Sequence, residues 1–252
     1  MQRIVLPGAM VAVLTNAMLA VTAKADPSPT STLSVSYAIA FWDIPLGHTD
    51  YDGRIGPDTY SAKAHFETNG VIGVFWKSVI DATANGGINA HFVSPAVYDS
   101  YSRNRGNPLQ RVKVTFESGS STVFADPVYD TTKYPVSEAQ KKDAVDPMSA
   151  ATSILTGAKA DENHPCGTGA QVFDGRRRYD LKLIYLKDEL VTLSNGLFVG
   201  IAHLCEIHYN AVAGYPQKIV NNRRAPPKIF ADFVDIPARD APDGRYIVPV
   251  KL

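Results

Sequence analysis

Apolar and polar residues alternate along most of this chain. Leu33, Val35, Tyr37, Ile39 and Phe41 fall on one side of an extended segment, with Ser34, Ser36, Ala38 and Ala40 on the other. A period of two is that of a half-buried β-strand. Ile44-Pro45-Leu46-Gly47 reads as a turn. The next run places His48, Asp50, Asp52 and Arg54 on one face, opposite Thr49, Tyr51 and Ile55. After a turn at Gly56-Pro57-Asp58, Tyr60, Ala62, Ala64 and Phe66 alternate with Ser61, Lys63, His65 and Glu67. Asn69-Gly70 is a hairpin signal, because both residues tolerate positive φ. The run from Val71 to Ile80 is apolar on both faces through Val74, Phe75 and Trp76, which predicts a central strand.

The alternation continues. Asn85-Gly86-Gly87 predicts a turn into Ile88, Ala90 and Phe92. Further strands are read at Val112–Phe116, at Tyr179–Tyr185, and on both sides of an Asn195-Gly196 hairpin, over Leu190–Ser194 and Leu197–Ile207. Lys228–Ile236 and Arg245–Lys251 complete the set. About a dozen strands at hairpin spacing predict an antiparallel all-β fold, a sandwich or barrel. One helical stretch interrupts near residues 137–157. Ser137 with Gln140 fits a capping box. Asp146 then serves as N-cap with Pro147 at the first helical position, and Met148, Ala151, Ile154 and Leu155 form its apolar stripe. A helix this short needs packing to exist, which places it against an opening of the curved sheet. Even so, that many strands present more apolar face than it can cover. The sheet must close on itself, form a sandwich or hold a ligand.

The first residues have a different character. Met1-Gln2-Arg3 is a short basic start, Ile4–Val21 is mostly apolar, and Ala23-Lys24-Ala25 has the small residues of a cleavage site. Residues 1–25 are therefore expected to be a secretory signal peptide. Residues 26–32 read as a flexible Pro/Ser/Thr-rich tail, and 33–252 as a single β-rich domain. No segment after the cleavage site has the length of a membrane-crossing helix. The expected location is the bacterial periplasm or the medium. In an oxidising compartment, two cysteines most simply pair, which predicts a Cys166–Cys205 disulfide. The rival is a metal site with His164, His203 or His208. On a strand, however, Cys205 and His208 would point to opposite faces.

Composition narrows the function classes. The 252 residues carry 25 basic and 25 acidic side chains, so nothing marks a nucleic-acid binder. Two cysteines exclude a disulfide-dense scaffold and a four-cysteine zinc site. No nucleophile elbow, H-E-x-x-H or phosphate-binding loop is present, and the six histidines are dispersed. No catalytic residue, cofactor or metal ligand is therefore assigned.

Four stretches together resemble the bacterial envelope family catalogued as domain of unknown function 3108. These are Tyr37–Phe41 running through Ile44–Gly47 to Tyr51, then Tyr60–Val74 around Thr68-Asn69-Gly70, Val145–Ala150, and Val172–Arg176 with Tyr179–Leu181. The resemblance implies a periplasmic, mostly antiparallel sheet that curls into a partial barrel, similar to lipoprotein-carrier folds, with a helix near its concave side. It implies no activity and no functional residues.

The residues themselves supply the candidates. Asp50-Tyr51-Asp52-Gly53 lacks the ligand spacing of a calcium loop and reads as a solvated strand face. Arg176-Arg177-Arg178 follows a turn, and on a strand Arg176 and Arg178 share a face. They offer an anion clamp, or else a charged strand edge that blocks aggregation. Strand aromatics recur as well. The candidate ligand-binding set is Phe41, Tyr51, Phe66, Phe75, Trp76, Arg176 and Arg178. The expected protein is non-catalytic and binds an apolar or amphiphilic envelope molecule, such as a lipid, or an envelope protein. The alternatives are an assembly factor that docks a protein partner without a small ligand and, less favoured, an envelope glycan hydrolase.

Overall fold

The computed structural model describes residues 30–41, 44–69, 77–158, 166–193, 196, 198–221, 228–238, 241–242 and 244–251. The expected signal peptide, Phe75, Trp76, the first part of the Val71–Ile80 strand, His164 and Asn195 lie outside the described residues, as do the side chains of Phe41, Ile44 and Pro45. Among the described residues, no helix is long and apolar enough to cross a membrane.

Among the described residues, twelve strands form two antiparallel meanders, an all-β architecture with a partial barrel, as expected. The seven-stranded sheet runs in chain order: β1 (Ser31–Phe41), β2 (Ile44–Ile55), β3 (Thr59–Thr68), β4 (Ser78–Ile88), β5 (Val93–Asn104), β6 (Gln110–Glu117) and β7 (Ser120–Asp126). The five-stranded sheet is ordered β12 (Arg245–Lys251), β11 (Ile229–Pro237), β10 (Val199–Ala213), β9 (Arg178–Thr192) and β8 (Gly169–Phe173). The sequence was read as one large sheet; among the described residues no strand pairing joins the two meanders. Between the sheets in the chain lie α1 (Glu138–Lys141), with the expected Ser137–Gln140 capping box, and α2 (Pro147–Leu155), capped by Asp146. A short α3 (Gln217–Val220) follows β10.

Several boundaries differ from the expectation. β1 begins at Ser31, inside the stretch read as a tail, and the Ser31 hydroxyl bonds that of Tyr246. Ile44–Gly47 is not a turn but the start of β2, with a register shift at Ile39/Ala40 on the partner strand. Asn85-Gly86-Gly87 likewise runs inside β4. Its glycine marks close approach rather than a turn, because a Cβ on Gly86 would lie 2.1 Å from the Ser94 carbonyl oxygen. The chain turns instead at residues 89–92, where the Asn89 side chain accepts from the His91 and Phe92 amides. The stretch 178–194, read as two strands, is the single strand β9 up to Thr192, with a register shift opposite Leu204/Cys205.

The inner face of the seven-stranded sheet presents Tyr51, Ile55, Tyr60, Ala62, Ala84, Tyr98, Val112 and Val114, all buried. Helix α2 lies on this face and reaches β3, β4 and β5 as well as β8 and β12 of the other sheet. It is buried nearly all round, its polar residues included. Asp146, 0% exposed, accepts from the Met148 and Ser149 amides at 2.9 Å each and from the Ser149 hydroxyl. With its proton committed to Asp146, Ser149 accepts from the Tyr60 hydroxyl. Thr152 donates to the Met148 carbonyl at 2.9 Å and accepts from Tyr51 at 2.7 Å. The buried hydroxyls of Tyr51, Tyr60, Ser149 and Thr152 are thereby paired, the condition under which burying them is tolerable.

The disulfide joins Cys166, shortly before β8, to Cys205 on β10, with Cα atoms 6.0 Å apart. Both sulfurs sit in a separate cluster with Leu183, Ala231, Phe233 and Ile247. His203, the rival ligand in the sequence, is instead bonded to Asp188 at 2.6 Å.

Thiol labelling of denatured, unreduced protein should find no free cysteine, and Cys166→Ser with Cys205→Ser should cost about 3–4 kcal/mol in denaturant titration. Two labelled thiols would refute the bridge. Asp146→Ala should cost about 2–3 kcal/mol, from the lost cap and the orphaned Ser149 and Tyr60 hydroxyls. Burial also raises the Asp146 pKa despite its donors, so the native state holds this proton more tightly than the unfolded chain. Its contribution is favourable at low pH and declines as pH rises from the ordinary carboxylate value through the elevated native one. Asp146→Asn, which cannot ionise, should therefore gain on the wild type as pH is raised. A pH-independent difference between the two would contradict this.

Candidate ligand-binding site

Two unpaired meanders leave two seams, one where β1 faces β11 and β12, the other where β7 faces the end of β8. Each seam holds a groove. The first encloses about 580 Å³ and is lined by Val35, Tyr37, Leu193, Phe198, Val234 and Val248, with Asp235 and Lys251 at its edge. Among the described residues the Tyr37 hydroxyl finds no hydrogen-bond partner, and burial pushes its pKa up to about 12.

The second groove encloses about 420 Å³. Val123, Phe124 and Ala125 of β7 form one wall; Val128, Tyr129, Pro135 and Val136 of the following segment form another; Phe173 closes the base. Phe124 is 54% exposed and Val128 87%, both unusual for large apolar side chains. Two cations stand on aromatic rings around these walls. The Arg176 guanidinium lies 5.0 Å from the Tyr129 ring centre, and the Lys141 ammonium 5.6 Å from that of Phe173. Lys141 also pairs with Glu138 at 2.6 Å, whereas the Arg176 guanidinium makes no ion pair among the described residues.

The β8–β9 turn sets Arg176 in place. Asp174 accepts from the backbone amides of Arg176 and Arg177 at 2.8 and 2.6 Å. Burial raises the Asp174 pKa against these donors and both arginines. Gly175 takes φ +91° and lies so close to the other sheet that a Cβ there would meet the Val112 side chain at 2.5 Å. Only glycine satisfies both demands without displacing the turn. Arg177 points away and stacks at 5.4 Å over Tyr215.

The sequence candidates are dispersed by this fold. Arg176 lines the second groove. Arg178 does not share its face, because β9 starts only at Arg178 and Arg176 belongs to the turn. Arg178 is 4% exposed and satisfied by the Gln140 and Tyr179 carbonyls and by Asp180 at 2.7 Å. Tyr51 is sealed beneath α2 by its bond to Thr152, with its pKa raised to about 12, chiefly by burial. Phe66 is half-buried on β3, and Phe41 is placed by its backbone at the end of β1. Sequence reading missed Lys141, Phe124, Val128, Tyr129 and Phe173. Only the Phe124 stretch carried a signal, the apolar run Val123-Phe124-Ala125 ending at Asp126-Pro127. The fold also joins residues of dispersed spacing: pairing of β2 with β3 sets His48 opposite Glu67, beside His65.

Neither a curated protein nor a solved structure matches the chain. A family model for a protein of unknown function matches residues 33–210, which takes in the second seam, α2 and the β8–β9 turn but not β11 and β12 of the first seam. The chain belongs to that family, DUF3108.

Proposed function

We propose that this protein binds an amphiphile with an anionic headgroup in the groove between β7 and the β8–β9 turn. The observation that carries the reading is the combination within one 420 Å³ groove of apolar walls and two cations, Arg176 and Lys141. A pocket of a few hundred cubic ångströms with a few placed polar groups is typical of small-ligand sites. Arg176 suits a phosphate, sulfate or carboxylate head, since its planar fork bonds two oxygens at once. The exposed flanks of Phe124 and Val128 suit a hydrocarbon tail, whose burial contributes roughly 25 cal/mol per Å².

The leader-like start of the sequence supports action in the bacterial envelope, where such amphiphiles are abundant. The set of residues offers no acid–base pair or activated nucleophile around the groove, so the reading is of a carrier or sensor. A second reading, docking of an envelope protein, draws on the β9–β10 hairpin, where Leu190, Val199 and Ile201 are 70%, 65% and 60% exposed.

Displacement of a fluorescent long-chain fatty acid tests the first reading. Arg176→Glu and Val128→Asp should each weaken binding at least tenfold, about 1.4 kcal/mol, while Lys251→Glu at the other seam leaves it unchanged. Equal affinity in all four proteins, or a loss confined to Lys251→Glu, would contradict it.

A further inference from the structure

The outer face of the seven-stranded sheet holds a cluster that the amphiphile groove does not use. His48 on β2 lies directly opposite Glu67 on β3, and His65 stands two residues before Glu67, on the same face. One nitrogen of each imidazole and one Glu67 oxygen all lie within 4.8 Å of one another. We propose that His48, His65 and Glu67 bind a divalent transition metal, with Zn²⁺ the ion of choice.

Three features make this more than a chance grouping of polar residues. The first is the donor set. Two imidazoles and a carboxylate satisfy zinc, which bonds them at about 2.0–2.2 Å and leaves a fourth position open. Ligand atoms around such an ion are about 3.4 Å apart, so side-chain rotations of less than about an ångström close the present spacing. His65 Nε2 and Glu67 Oε2 are already 3.9 Å apart.

The second is the arrangement behind the ligands. His65 Nδ1 bonds the Asp81 carboxylate at 2.7 Å, which fixes the ring and directs Nε2 toward Glu67. A carboxylate on the far nitrogen is the usual support of a metal-bound histidine. Glu67 is held the same way: Lys77 approaches its other oxygen, Oε1, at 3.6 Å. His48 Nδ1 faces the Asn69 amide at 3.4 Å. Turning that amide to offer its oxygen would fix the tautomer with Nε2 free for metal.

The third is the surrounding field. Asp50 is the cross-strand neighbour of His65, and Asp50, Asp52, Asp81 and Asp99 line the adjoining groove of about 260 Å³ beside Lys63, with Asp99 paired to Arg111 at 2.7 Å. Such a concentration of carboxylates attracts a dication. All three ligands sit on paired strands, which hold them more firmly than loops would.

Equilibrium dialysis against ⁶⁵Zn²⁺, using untagged, folded full-length protein, tests the site. The expected result is one Zn²⁺ per chain. His48→Ala, His65→Ala and Glu67→Gln should each weaken binding at least thirtyfold. Asp81→Asn, which leaves every ligand in place, should weaken it about 10–100-fold. His203→Ala, at the Asp188-paired histidine of the other sheet, should bind as the wild type does. Thermal melts without metal keep any folding defect separate, and Glu67→Gln preserves side-chain shape. Less than one zinc per chain at saturation, or equal binding by the His48, His65 and Glu67 variants, would overturn the proposal.

Discussion

Among the described residues the two antiparallel meanders share no strand pairing, and a helix whose buried residues include polar ones does much to hold them together. An apolar helix could slide across the tyrosine-lined sheet at little cost. The Asp146–Ser149–Tyr60 and Met148–Thr152–Tyr51 chains cannot, because a shift would strand several hydrogen-bonding groups away from water. The helix therefore fixes the placement of the sheets as well as filling the space between them. A parallel bridge from Val145 to Val172 adds a direct tie between the N-terminal side of α2 and β8. Everything at the edges of the sheets inherits that placement.

The seams follow from it. Because the helix spans the middle of the structure, apolar surface is left over where β1 meets β12 and where β7 meets the β8–β9 turn. The second seam differs from the first by having two cations stacked on its aromatic walls, Arg176 on Tyr129 and Lys141 on Phe173. The arginine run shows how narrowly this is determined. Arg176, Arg177 and Arg178 are consecutive, yet one lines the groove, one stacks on Tyr215 and one is buried against Asp180 and two carbonyls. What separates them is the residue at which the strand begins, and that is set by Asp174 and Gly175.

Much of the fold was legible because period-two alternation is a direct record of which face each residue presents. The caps of α1 and α2 were legible for a similar reason, since Ser137, Gln140, Asp146 and Pro147 act on their own neighbours. Glycine misled wherever it served sheet packing: Gly86 lies inside a strand because another backbone comes too close for a side chain. The division into two sheets left no local trace, since it depends on which edges fail to pair. The site was less legible still. Arg176 stood out as a charge, but Lys141, Phe124 and Phe173 lie on separate elements and meet only in the folded chain. His48 and His65 were passed over as dispersed, and cross-strand register brings them together.

Native mass spectrometry of the protein, expressed in bacteria and purified without added lipid, bears most directly on amphiphile binding. The account predicts a reproducible added mass that denaturing solvent releases as an anionic lipid or fatty acid, and that Val128→Asp abolishes. A bare polypeptide mass, unchanged after incubation with extracted envelope lipids, would contradict it.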